Sequence, residues 1–280
     1  MIQKELKAIT FSDGVSNQLS FFKNNSATKT ILFLPALGVK AAYYDKFSTD
    51  LVEIGFNVIT MDWRGLGHSS VRASRKVDFG YKEFIQDIDE SIDFVHQEIP
   101  NTSIILAGHS LGGQLGALLL CKKPKRAIGL IAIASCSVYY KGWTGRARLP
   151  LLFAGALFNP IAGILGYFPG KKMGFGGTEF KSVMNDWGDT LKTGKYRPKN
   201  DDFNYELEMP NATFPILAIS IQHDNMAPHK AVEYLLKKYP NSRTKHLVVE
   251  NQDKKLNHFR WAKNSERVLN YIQQEIKMLL

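Results

Sequence analysis

The chain is expected to fold as an α/β domain with a mostly parallel, eight-stranded sheet flanked by helices. Three observations predict it. Short apolar runs suited to buried strands alternate with stretches of helical periodicity, and that alternation builds parallel sheets through right-handed crossovers. The alternation stops after residue 135 and resumes at Phe214, leaving roughly 75 residues that are too many for a loop in a compact domain. The run Ile104-Ile105-Leu106-Ala107 ends in Gly108-His109-Ser110-Leu111-Gly112-Gly113, the form of a strand, a tight turn and a helix start.

The elements follow in order. Residues 4–12 and 18–23 read as edge strands around a turn at Asp13-Gly14. Thr30-Ile31-Leu32-Phe33-Leu34 is a buried strand ending at Pro35, and residues 41–54 form a helix with Tyr44, Phe47 and Leu51 on one face. Residues 56–61 are the next strand. Residues 81–97 form an amphipathic helix with Tyr81, Phe84, Ile85, Ile88, Ile92 and Val95 inward. The strand ending at Ser110, a helix over 111–121 and a strand over 127–134 complete the first half. Strands at 214–220 and 245–249 and a last helix at about 262–279 complete the second.

Residues 1–136 and 213–280 therefore form the core, and residues 137–212 an inserted cap that precedes the strand bearing the candidate acid. From Leu149 to Gly170 no residue is charged. That length could span a membrane. Pro150, Asn159-Pro160, Pro169 and four glycines interrupt it, however, and it lies between two strands of one sheet. Short apolar helices or turns over the catalytic face are expected instead. A lid resting on a membrane surface is the second reading, because Arg146, Arg148, Lys171 and Lys172 bracket the run. A further cap helix is expected where Phe180, Val183, Met184 and Trp187 share a face. Trp187, Phe153 and Leu157 are candidate substrate-binding residues.

The chemistry starts at Ser110. Glycines at 108 and 112 are needed because a Cβ at either would collide with the neighbouring strand or helix. The turn exposes the Ser110 hydroxyl and leaves the Leu111 N–H at a helix start, where it can stabilise an oxyanion. A serine nucleophile needs a base, and the base an orienting acid. Asp224 follows the strand 214–220 and is the candidate acid. His258 follows the last strand and is the candidate base, with His223 as the alternative. His109 is expected to point away from Ser110 into the packing of the turn. The second oxyanion donor is expected in the loop Pro35-Ala36-Leu37-Gly38, at the Leu37 N–H. No histidine pair has metal-ligand spacing, so neither a metal nor another cofactor is expected.

Composition bounds the remainder. Of the 280 residues 44% are hydrophobic and 22% charged, the balance of a soluble globular chain with a sizeable core. Two cysteines, Cys121 and Cys136, make no disulfide framework, and the N-terminal residues lack the apolar core of a signal peptide. A reducing, cytoplasmic setting is expected. The net charge of +10 is dispersed in basic pairs with no aromatic-interleaved stripe, which argues against nucleic acid as a partner. A solvated basic surface is the default reading, and attraction to anionic membranes or substrates the alternative.

With these residues assembled, the chain resembles the alpha/beta hydrolase superfamily over nearly its whole length. Gly108-His109-Ser110-Leu111-Gly112-Gly113 is similar to the nucleophile elbow of its lipase and esterase branches. Asp62-Trp63-Arg64-Gly65-Leu66-Gly67-His68-Ser69 is similar to a structural turn of the superfamily, in which Arg64 and Asp62 would tie the loop together. The resemblance implies Ser110 as nucleophile, Asp224 as acid, His258 as base, and Leu37 and Leu111 as oxyanion donors. Many relatives carry His-Gly where this chain has Pro35-Ala36. The cap, with Gly-Tyr-Phe-Pro-Gly-Lys-Lys at 166–172, looks most like serine-aminopeptidase-like and monoacylglycerol-lipase-like hydrolases. The expected activity is cleavage of a carboxylic ester or thioester of an apolar small molecule. Amide cleavage or acyl transfer by the same triad is the alternative, with Glu179, Asp186 and Asp189 available in the cap to hold an amine. A non-catalytic ligand-binding homologue is the third reading.

Overall fold

The computed structural model describes residues 2–279. Strands β1 (Lys4–Thr10) and β2 (Ser16–Phe22) form an antiparallel hairpin, and β2 pairs antiparallel with β4 (Asn57–Met61). From there the sheet is parallel. It runs through β3 (Lys29–Leu34), β5 (Ser103–His109), β6 (Leu130–Ile133), β9 (Ile216–Ile221) and β10 (Thr244–Val249), in the order β1-β2-β4-β3-β5-β6-β9-β10. Between β6 and β9 come β7 (Tyr167–Pro169) and β8 (Thr178–Phe180), which form a separate small hairpin.

The parallel strands are buried on both faces, which is why they read as continuous apolar runs. Along β3, Leu32 and Leu34 point into one apolar layer and Ile31 and Phe33 into the other. The first layer is covered by α2 (Tyr81–Glu98) and α3 (Leu111–Lys122). The second is covered by α1 (Asp45–Glu53) and, counted after the cap helices, α8 (His229–Leu236) and α9 (Glu266–Glu275). Cys136 is buried and Cys121 half-buried, both as thiols.

The strand order matters for the site. After β3 the chain adds β4 on one side, then returns to place β5 on the other. Such a reversal opens a crevice at the carboxyl ends of the two strands, where α/β sheets bind ligands. Leu34 and Gly108 are register partners, so the loop after β3 and the turn after β5 leave the sheet side by side.

The segment between β6 and β9 holds α4 (Arg148–Leu165), α5 (Gly170–Met173), α6 (Lys181–Thr193) and α7 (Tyr205–Glu208). Here one expectation is corrected. The apolar run is not broken into short pieces; α4 is continuous through both Pro150 and Pro160. Pro150 lies in the first turn, where its missing N–H has no intrahelical acceptor anyway. Pro160 lies on the exposed side, above exposed Ala156, so water can reach the carbonyl that loses its partner. Gly166, at φ 83°, ends the helix in the left-handed region. Gly155 of α4 meets Leu191, and Gly188 of α6 meets Asn159, which lets the two helices approach closely.

Candidate active site

Ser110 sits between β5 and α3 with φ 53° and ψ −115°, outside the regions a serine ordinarily adopts. Such a conformation costs about 1–3 kcal/mol and persists only where the surroundings impose it. Here they do. The Ser110 N–H donates to Ile133 O at 3.0 Å, and the Ser110 carbonyl accepts from Ser135 Oγ at 2.8 Å. The glycines act as the sequence requires. A Cβ on Gly108 would overlap the Gly112-Gly113 backbone, and one on Gly112 would overlap the Leu34 carbonyl. Gly113 has no room either, because Ser135 occupies the space.

The loop after β3 reaches the elbow from the neighbouring strand. Its N–H at Leu37, like that of Leu111 at the start of α3, has no acceptor among the described residues. Neighbouring groups hold the loop. Trp63 Nε1 donates to Pro35 O at 2.9 Å, and Ala36 N–H donates to Tyr44 Oη at 3.1 Å. Since Tyr44 accepts from Ala36, its own proton goes to His109 Nδ1, 2.7 Å away. His109 is wholly buried, and burial pushes its pKa well below the usual histidine range. It is therefore a neutral ring with the proton on Nε2. It points into the packing as expected and does not serve as a base.

Asp224 follows β9 directly behind His223, another non-glycine residue at positive φ, 65°. Asp224 Oδ1 accepts from the N–H groups of Met226 at 2.8 Å and Ala227 at 3.2 Å. Its Oδ2 meets His258 Nδ1 at 2.7 Å, with both side chains buried. That contact puts the His258 proton on Nδ1 and leaves Nε2 to accept. His258 also packs on His109, the residue before Ser110, with ring centroids 4.7 Å apart. Among the described residues Ser110 Oγ and His258 make no hydrogen bond. Catalytic contacts of this kind commonly tighten only when substrate is present.

Asp62 and Arg64 hold the turn after β4, through partners other than each other. Asp62 accepts from the N–H of Ala41 at 2.8 Å and of His68 at 3.2 Å. Arg64 forms a two-pronged pair with Asp87 of α2, at 3.0 and 2.5 Å, and also meets Asp13. The candidate substrate residues lie in different settings. Phe153 and Leu157 face solvent on the outer side of α4, because the inner side is taken by Gly155, Phe158 and Ala162. Trp187 is buried against Phe158 and Phe175.

Three residues escape sequence reasoning. Tyr44 reads as one more residue of a helix face, Trp63 enters only as part of the turn motif, and Ser135 carries no signal of its own. The usable signal is that a buried Tyr or Trp seeks a partner for its polar atom, and that partner is visible only in three dimensions.

The segment between β6 and β9 reaches the loop after β3 through glycines. Gly38, at φ 73°, has Gly176 and Gly177 directly against its α-carbon, and Gly177 N–H donates to buried Glu179 at 2.6 Å. A cavity of about 410 Å³ lies beside this contact, lined by Gly38, Lys40, Leu66, Arg72, Lys171 and Gly176 among others. A second cavity, about 530 Å³ between Val249 and Tyr271, contains none of the site residues.

A family model described as the alpha/beta hydrolase fold matches residues 29–252. Monoglyceride lipase from Mus musculus is 24% identical over 132 residues, which are 47% of this chain and 43% of that protein. The matched stretch thus spans under half the length of the curated relatives. Among solved structures, the alpha/beta hydrolase GrgF from Penicillium sp. sh18 superposes with a TM-score of 0.67 at 15% identity, over 99% of this chain and 98% of that one. A thioesterase domain from the curacin biosynthetic pathway superposes with a TM-score of 0.62 at 15% identity, over 95% and 99%. At such identities these structures share the fold.

Proposed function

Because this chain belongs to the alpha/beta hydrolase family, we propose that it is a serine hydrolase cleaving carboxylic esters or thioesters of apolar small molecules. The observation that carries the reading is the His258–Asp224 pair at 2.7 Å, on the loops that follow the last two strands of a sheet whose central strand ends in a strained serine. Ser110 Oγ attacks the carbonyl carbon while His258 Nε2 takes its proton. Asp224 holds the ring in the Nδ1–H form and stabilises the imidazolium. The N–H groups of Leu37 and Leu111 receive the developing oxyanion. Collapse expels the alcohol or thiol, protonated by His258, and water then attacks the acyl-serine by the same route.

The similarity to monoglyceride lipase agrees with an ester-type substrate. The amide alternative finds less support. Asp186 uses both oxygens on the N–H groups of Tyr81 and Lys199, Glu179 is tied to Gly177, and Asp189 faces solvent. The test is labelling with a fluorophosphonate probe, followed by turnover of a series of nitrophenyl esters. Wild type should label and turn over, and Ser110→Ala should do neither. An unlabelled, well-folded wild type would overturn the proposal.

A further inference from the structure

Among the described residues α4 is the one helix long and apolar enough to cross a membrane, yet little of it is buried. Its outward residues include Leu149 at 61% exposure, Phe153 at 70% and Ile164 at 74%, with Leu152 and Leu157 also exposed. At 3.6 residues per turn these fall within an arc of roughly 140°, a single stripe. The opposite side carries Gly155, Phe158 and Ala162 and is already covered by the cap. An uncharged stripe this wide, left uncovered, marks an interaction surface rather than scattered surface residues.

We propose that the outer face of α4 docks in the plane of an anionic phospholipid surface. Charge selects this occupant. Between Ser135 and Thr178 there is no Asp or Glu, while Lys141, Arg146 and Arg148 precede the stripe in sequence and Lys171 and Lys172 follow it. Apolar residues in the acyl boundary with cations at headgroup level is the arrangement of an interfacial helix. A second copy of the chain fits less well. Whether two α4 helices pair parallel or antiparallel, the cations at their ends meet other cations. Spanning is excluded by the packing of Phe158 and Ala162 into the cap. The face is not isolated from the site. Phe158, on the inner side of α4, packs on Phe175 with centroids 5.0 Å apart, and Gly176-Gly177 then rest against Gly38 of the loop beside Ser110. A docked α4 would hold that loop close to a lipid-borne substrate.

The inference stands apart from catalysis, so the test uses Ser110→Ala protein and reads binding alone. Vesicles of phosphatidylcholine with about one-third phosphatidylglycerol are compared with pure phosphatidylcholine vesicles by co-sedimentation. Binding to the anionic vesicles is expected, weakened by added salt. Adding Phe153→Asp and Ile164→Asp, both at exposed positions, should weaken it at least about tenfold with no fall in Tm. Adding Lys171→Glu and Lys172→Glu should flatten the salt dependence. No binding to anionic vesicles, binding indifferent to both pairs of substitutions, or a dimer that Phe153→Asp dissociates would each overturn the proposal.

Discussion

Tyr44→Phe should be far more damaging than the loss of one oxygen suggests. The Tyr44 hydroxyl is wholly buried and joins two groups, accepting from Ala36 N–H at 3.1 Å and meeting His109 Nδ1 at 2.7 Å. Its removal leaves a donor and an acceptor in an apolar layer. His109 cannot turn for relief, because its ring is held between Trp261, at 5.2 Å, and His258, at 4.7 Å. Each buried unsatisfied group costs about 1–3 kcal/mol, so the sum is about 2–6 kcal/mol. The assay is urea denaturation of both proteins, with the midpoint and slope taken separately. The effect should extend to turnover, since Ala36 precedes Leu37, the proposed oxyanion donor. Losing such a donor outright costs ~10²–10³ in kcat, so a loosened one should cost about tenfold or more, with KM little changed. A Tyr44→Phe protein within about 0.5 kcal/mol of wild type would refute the reasoning, because it would mean that water or a shifted loop satisfies both groups.

Further substitutions probe the site from other directions. Ser110→Gly should abolish turnover while raising stability by about 1 kcal/mol, since glycine carries no penalty at φ 53°; calorimetry beside the esterase assay checks both. Asp224→Asn should lower kcat by about 10⁴ with the fold intact, read by ester turnover at constant circular dichroism. Gly108→Ala forces a Cβ into the backbone of Gly112-Gly113 and should prevent recovery of soluble folded protein. Glu179 gives a pH signature. Burial lifts its carboxyl to about 7 from 4.5, so its stabilising contribution is complete below the ordinary value and lost as pH rises through 7. Glu179→Gln still accepts from Gly177 N–H. It should be more stable than wild type above pH 7, by up to about 3 kcal/mol, and the advantage should vanish near pH 4; urea midpoints across that range would show it.

Much of the core was legible because its signals are local. Buried parallel strands must be continuously apolar and surface helices must carry a stripe, so β3, β5, β9 and α2 lie within a few residues of where periodicity puts them. Ser110, Asp224 and His258 could be nominated because each lies in a segment that follows a strand, a place defined by chain order alone. The cap was less legible. Proline in the run predicted breaks, yet α4 tolerates two, one in its first turn and one on a wet face. Which side of α4 is buried depends on where α6 lies, and no periodicity in α4 reveals that. An uncharged helix looks alike all round, so the pattern that offered Phe153 and Leu157 as candidate substrate residues did not reveal that both are exposed.

By itself the sequence determined which backbone conformations are possible: a strand, a turn too tight for Cβ atoms at 108 and 112, and a helix behind it. Those are steric facts about adjacent residues. Only the tertiary structure decided who meets whom. The Asp224–His258 contact, the Ala36–Tyr44–His109 chain and the seating of Gly176-Gly177 on Gly38 join residues that are distant in sequence or that sequence reading had set to other tasks. Hydrogen bonds and apolar contacts act over a few ångströms in space and carry no record of separation along the chain, so folding alone could assign these partners.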